Sequence, residues 1–295
     1  MYPHYRDPLP LGDAGGLPYS KGLMARSLVS AGVGLEAAYV IAGQLELDLY
    51  AAGGRAAELE RLEEVAAEVL GEAEGRRVVL HLRRLAALQA LDVPIVLLVG
   101  GATGTGKSTV ATETAHRLGI TRVTSTDFIR QTIRAYFPHA QMPSVHVSSF
   151  EAGGTPELTE AGFIDQTRRV LVGVEASLER AMTEGWSMAI EGVHLVPGLV
   201  PTEIDGALLV HAVLHVDDIE VHRSHFVVRD RATGGSRALE KYLDSFAEIR
   251  LLQDAIVERA LREGVPAIES SSLEGATAEL LELVLVRAEA LTTAV

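Results

Sequence analysis

The 295-residue sequence has no cysteine and no asparagine. The first absence excludes disulfides, thiolate nucleophiles and cysteine-ligated zinc. The second excludes the N-K-x-D motif that reads guanine. Lysine is nearly missing too: Lys21, Lys107 and Lys241 are the only three among 26 basic residues, leaving 23 arginines. For Lys21 and Lys241 chance retention is an open alternative to function. No apolar run approaches the roughly 20 residues that cross a bilayer, and the N-terminus MYPHYRDPLP lacks the apolar stretch of a signal peptide. The expected location is cytoplasmic, with no membrane partner. Basic charge is in deficit, with 40 acidic residues and a formal net charge of −14. Without a basic stripe, nucleic acid is not an expected partner. The overall field mildly repels anions, so an anionic ligand must be captured by local donors.

What is present falls into two parts. Residues 1–18 are rich in Pro and Gly and read as irregular, with room for a short hairpin. Helical spacing then covers 21–31, 35–50, 56–71 and 77–90, broken at AAGG and GEAEG. From residue 92 the periodicity changes. Buried-type strands at 95–99, 121–125, 187–190, 207–215 and 265–268 alternate with helices. That alternation predicts a parallel α/β sheet, in which ligands gather at the carboxyl ends of the strands. The expected domains are 1–91, mostly helical, and 92–295, α/β.

After the first strand comes GGATGTGKST at 100–109. Gly101-x4-Gly106-Lys107-Ser108 fits G-x-x-x-x-G-K-[ST], flanked by the strand and helix that the motif requires. Gly101, Ala102, Thr103, Gly104, Thr105, Gly106, Lys107, Ser108 and Thr109 are therefore expected to hold ATP. Glycines let backbone N–H groups reach phosphate oxygens, Lys107 supplies a point charge, and the Ser108 hydroxyl completes a Mg²⁺ shell.

The phosphate has three possible destinations: water, a macromolecule or a small acceptor. Water suits a GTPase or motor, but the guanine motif is impossible and the usual Asp-Glu strand ending is missing. The charge balance disfavours a macromolecule. A small anionic acceptor fits the remaining residues. Asp127, just past the second strand in TSTDFIRQTIR, is placed to take a proton from an acceptor hydroxyl, unless it serves only as a helix N-cap. Arg130 and Arg134 lie one turn apart and would clamp an anion. Glu191 ends the third strand and is expected to reach Mg²⁺ or the acceptor; His194, following it, is either an acceptor ligand or a structural hydrogen-bonder. Arg223, Arg229, Arg231 and Arg237 line an arm broken by TGG, a candidate hinge. They would close over the phosphates, or else form a solvated helix face.

These motifs together resemble one family, the 2-phosphoglycerate kinases described from methanogenic archaea and their bacterial relatives. The resemblance rests on PYSKGLMARSL at 18–28, the phosphate loop, TSTDFIRQTIR, SVHVSSFEAG at 144–153, IEGVHLVPG at 190–198, and HFVVRDR with EKYLDSFAEIRLLQD from 225 onward. It implies a P-loop kinase domain behind an ATP-cone-like helical domain, and transfer of the ATP γ-phosphate to 2-phosphoglycerate to give 2,3-diphosphoglycerate. Combined with the reading of the residues, it implies acceptor contacts from Arg130, His146, Ser148 and Ser149, while Arg229 and Arg231 of the arm would stabilise charge on the transferring group. Lys21 matches the lysine of the cone, whose basic hairpin is poorly represented here. Related plant proteins are linked to inositol phosphates, so a different acceptor, a nucleotide sugar included, stays open. So does a non-catalytic adenine-nucleotide sensor, and so does a homo-oligomer.

Overall fold

The computed structural model describes residues 19–53, 57–232 and 239–293. The expected N-terminal hairpin and the TGG hinge lie outside them. The chain divides into two compact units, one ending at Asp92 and the other starting at Val93.

The first unit contains helices α1 (Lys21–Ser30), α2 (Leu35–Ala52), α3 (Leu59–Leu70) and α4 (Glu72–Ala90). Ser20 caps α1 by accepting from the Leu23 N–H, and Gly53 ends α2 in the left-handed conformation. Met24, Leu28, Ile41, Leu45, Leu62 and Leu82 are fully buried in its core. The expected break at GEAEG is narrower than its glycines imply. Gly71 alone makes the joint, and Gly75 lies inside α4. A Cβ at Gly75 would sit 2.6 Å from the Ala67 nitrogen, so this glycine serves the close approach of α3 to α4.

The second unit is a five-stranded sheet in the order β2-β3-β1-β4-β5. Its strands are β1 (Ile95–Gly101), β2 (Val123–Ser125), β3 (Met188–Glu191), β4 (Leu208–His215) and β5 (Ala267–Glu269), and every pairing is parallel. β1 is central and buried at every residue, which explains its unbroken apolar run. The helices are α5 (Lys107–Arg117), α6 (Thr126–Tyr136), α7 (Thr159–Glu184), α8 (Ile219–Ala232), α9 (Leu239–Asp244), α10 (Phe246–Glu263) and α11 (Leu273–Thr293). α7 covers the side of the sheet bearing Val96 and Leu98, while α5 and α11 pack on each other and on the sheet. From β1 the chain first runs to β2 at one edge and later returns to β4 on the other side. That reversal opens a crevice at the strand ends beside β1. The architecture is the expected parallel α/β sheet with flanking helices.

Candidate active site

A cleft of about 930 Å³ occupies that crevice, at the upper end of the range for small-molecule sites. One wall is the loop between β1 and α5. Four successive carbonyls of this loop are held by donors, the first within the loop and the other three from outside it. Ala102 O accepts from Lys107 Nζ (2.5 Å) and the Thr105 hydroxyl (3.0 Å); Thr103 O from His222 Nε2 (2.9 Å); Gly104 O from His225 Nδ1 (2.9 Å); and Thr105 O from the Ser270 hydroxyl (2.9 Å). A trans peptide points its N–H opposite its carbonyl. The Thr103, Gly104 and Thr105 oxygens are held by α8 and Ser270, so the N–H groups of residues 104–106 face the opposite way, toward the phosphate position. Gly104, at φ +87°, is pressed by α8: a Cβ there would lie 2.4 Å from the Phe226 ring. The result is a preorganised anion cradle at the start of α5.

His222, His225 and Ser270 brace the loop, and the sequence motifs do not single them out. The two histidines sit on a helix whose arginines drew attention instead. Burial holds the His222 imidazole down to about 4, with its bond to Thr103 acting the other way. It is therefore a neutral donor to that carbonyl.

Lys107 is buried at 8% exposure, and desolvation lowers its pKa, opposed by the nearby carboxylates of Glu191 and Asp127. A buried ammonium folded onto its own loop, with the Ser108 hydroxyl lining the cleft beside it, fits the charge of MgATP. Glu191 ends β3 opposite Val99 and Ser125, at 8% exposure, and lines the cleft. Ser108 and Glu191 would hold Mg²⁺ together with the nucleotide and water. Among the described residues no cluster of three His, Cys, Asp or Glu side chains makes a metal site without such help.

Across the cleft stands Asp127. The N-cap of α6 is Ser125, whose hydroxyl accepts from the Phe128 N–H at 3.1 Å, so capping does not occupy the Asp127 carboxylate. Asp127 Oδ1 instead accepts from Arg130 Nε at 3.2 Å, and both side chains line the cleft. Arg130 is more constrained than expected. It is 8% exposed, and its Nη1 donates to the carbonyls of Val145 and Val147 at 2.9 and 3.0 Å. It thus braces the segment that brings Ser148 and Ser149 to the cleft.

Several expected ligands are placed elsewhere. His194 is 0% exposed and cannot touch an acceptor. Its Nδ1 accepts from the Thr126 hydroxyl and its Nε2 donates to Gln166 Oε1, both at 2.9 Å. Gln166 in turn donates to the carbonyls of Ser144 and Val147. His194 is thus a brace between α6, α7 and the 144–147 segment, and burial pushes its pKa down to about 3. His146 does not line the cleft; its Nε2 donates to the Phe137 carbonyl at 2.9 Å. Arg134 is exposed and also lies outside the lining. Arg223 pairs with Glu220 at 3.1 Å and stacks over Phe246, away from the lining. The side chains of Arg229 and Arg231, and all of Arg237, lie outside the described residues.

Comparison with curated proteins agrees with this geometry. The chain is 36% identical over 271 residues to a 2-phosphoglycerate kinase of Thermococcus kodakarensis, covering 90% of this chain and 92% of that protein. It is 37% identical over 262 residues to the Methanothermobacter thermautotrophicus 2-phosphoglycerate kinase, covering 86% and 85%. The chain belongs to the 2-phosphoglycerate kinase family. As a member it is an ATP-dependent phosphotransferase acting on an alcohol group. A third member, from Methanopyrus kandleri, is 35% identical over 270 residues, covering 88% and 81%. No family model matches the chain. A solved shikimate kinase from Bacteroides thetaiotaomicron aligns at 17% identity over 68% of this chain and 98% of that one. Its TM-score of 0.28 is too low to bear on fold or function.

Proposed function

We propose that this chain transfers the γ-phosphoryl group of MgATP to the free hydroxyl of 2-phosphoglycerate, giving 2,3-diphosphoglycerate. The observation that carries the reading is one cleft lined both by the phosphate cradle with Lys107 and Ser108 and by Asp127, which capping leaves free. The loop amides and Lys107 bind the triphosphate. Ser108 and Glu191 would hold Mg²⁺, which when bound would neutralise charge on the phosphate oxygens. Asp127 accepts the acceptor's hydroxyl proton as the new O–P bond forms, and the γ-phosphorus bond to ADP breaks. Arg130 fixes Asp127 and, with Ser148 and Ser149, faces the acceptor. The helical unit is read as an ATP-cone-like module; its Lys21 ammonium lies 3.3 Å from Glu46. The enzyme is read as cytoplasmic: among the described residues no helix is long and apolar enough to cross a membrane.

The test is coupled ADP release with MgATP against phosphoglycerates, other hydroxy acids, inositol phosphates and nucleotide sugars. Release with 2-phosphoglycerate well above the others is expected. Release no faster than the acceptor-free background with every compound would replace the kinase reading with a nucleotide sensor.

A further inference from the structure

Three lysines survive in this arginine-rich chain: Lys107 belongs to the phosphate loop and Lys21 pairs with Glu46. The third, Lys241 on α9, lines the active-site cleft although it is 134 residues from the loop lysine in sequence (241 minus 107). Its Nζ lies 2.7 Å from Glu151 Oε2. Glu151 is itself held: its carboxylate also accepts from the Ser148 N–H at 3.1 Å, closing a capping box at the turn Ser149–Glu151. The ammonium is thus fixed beside Ser148 and Ser149, on the acceptor side of the cleft.

Two observations argue against a merely structural latch. First, α9 is already fastened by aromatic contacts. Tyr242 stacks on Phe226 at 5.1 Å between ring centroids and meets the edge of Phe150 at 6.0 Å. Second, the two partners are 45% and 38% exposed, and ion pairs that wet add little to stability. The chemistry of the cleft gives the pair a different use. Among the described residues, the lysine and arginine side chains lining it are Lys107, Arg130 and Lys241. Lys107 serves the nucleotide, and Arg130 spends its Nε and Nη1 on Asp127 and two backbone carbonyls. An ammonium has three protons; Glu151 takes one direction of approach and the Phe150 ring lies 5.7 Å away on another, with no hydrogen-bond acceptor, so donor capacity remains for a ligand.

Resting on the kinase reading above, we propose that Lys241 is a recognition residue for the acceptor: oriented by Glu151, its ammonium binds the acceptor's carboxylate or phosphate group.

The experiment is calorimetric titration of 2-phosphoglycerate into the full chain with MgADP present, so that no turnover occurs. The proteins are the natural chain, Lys241→Met, Lys241→Arg, and the double reversal Lys241→Glu with Glu151→Lys. Lys241→Met should weaken 2-phosphoglycerate binding about 10- to 100-fold, the loss of a charge-assisted bond, with MgADP affinity kept within about twofold. Lys241→Arg should retain most of the affinity. The double reversal re-forms the ion pair but points a carboxylate into the cleft, so it should bind no better than Lys241→Met. Recovery to natural affinity in the double reversal would make the pair a clamp and overturn the proposal. Undiminished binding by Lys241→Met would do the same. If the natural chain itself fails to bind 2-phosphoglycerate, the assigned acceptor is wrong and this role falls with it, an outcome distinct from the other two.

Discussion

His222 gives the most direct check on how the phosphate loop is built. Its ring is fully buried against Phe226 and Phe246, and its Nε2 hydrogen supplies the Thr103 carbonyl at 2.9 Å. In His222→Leu that part-buried carbonyl loses its donor, a penalty of about 1–3 kcal/mol. The loop can relieve it by rotating the Thr103–Gly104 peptide, which swings the Gly104 N–H away from the phosphates. The penalty then reappears as nucleotide affinity, a loss of about 5- to 150-fold. Titration calorimetry with MgATP measures this, and thermal melting separates it from general damage. His222→Gln, which can present an amide N–H to the same carbonyl, should recover most of the affinity at a similar melting temperature. If His222→Leu melts several degrees lower yet binds MgATP within about twofold of the natural chain, the outward carbonyls do not set the amide cradle, and His222 is only packing.

Asp127→Asn should lower kcat by about 10²- to 10⁴-fold while MgATP affinity, measured by titration, stays within a few-fold; equal turnover removes the general-base role. Gly104→Ala places a Cβ 2.4 Å from Phe226 at a φ of +87°. Nucleotide binding should be lost or nearly so, and an unchanged dissociation constant would show that α8 does not press on the loop. His194 predicts acid sensitivity. Its folded pKa is held to about 3 by burial, with Arg130 and Lys107 adding to the effect and Asp127 opposing it, against a usual 6.5. The folded ring stays neutral while the unfolded ring protonates below pH 6.5. Its contribution is therefore complete above that value and shrinks as pH falls toward 3, reaching a loss of about 2 kcal/mol at pH 5. Imidazole resonances followed by NMR should leave His194 untitrated at pH 5; a midpoint near 6 contradicts the burial argument.

The sheet was legible because β1 and β4 are long apolar runs and because the phosphate-loop pattern marks the strand and helix on either side of it, whereas β2, only Val123–Ser125, is not buried. Helix starts and glycine joints were less so. Gly75 reads as a breaker by composition, but the packing of α3 on α4 decides its place. The course of the cleft's near wall follows from the motif, since its glycine spacing permits the turn of the loop. Its braces do not. His194 and His146 stand in stretches that look like ligand motifs, and only the tertiary fold reveals that Gln166 and the Phe137 carbonyl occupy them. Conversely, His222 and His225 carry no local signal, because their partners lie 119 and 121 residues earlier in the chain. Arg130 shows the intermediate case. Its cleft-facing position follows from helix phase, but its two carbonyl partners depend on a loop whose path no pattern predicts.

A chain of net charge −14 must hold a triphosphate against its own field, and the loop's construction addresses this with dipoles rather than charges. The groups that turn the Thr103, Gly104 and Thr105 carbonyls outward are two imidazoles and a hydroxyl, and His222 stays neutral because it is buried. The oriented amides present positive dipole ends to the phosphates beside Lys107. Lys107 benefits from the same arrangement. Burial drives toward loss of its proton, but the Glu191 and Asp127 carboxylates counter that drive, so the ammonium is held for the phosphates by the groups assigned to metal and acceptor. Removing either carboxylate therefore acts on the nucleotide side as well, and Glu191→Gln should weaken MgATP binding through both Mg²⁺ and Lys107. Titration at pH 7 and pH 9 separates the two: a Glu191→Gln deficit that deepens at the higher pH reports the lysine, and one that stays constant reports the metal alone.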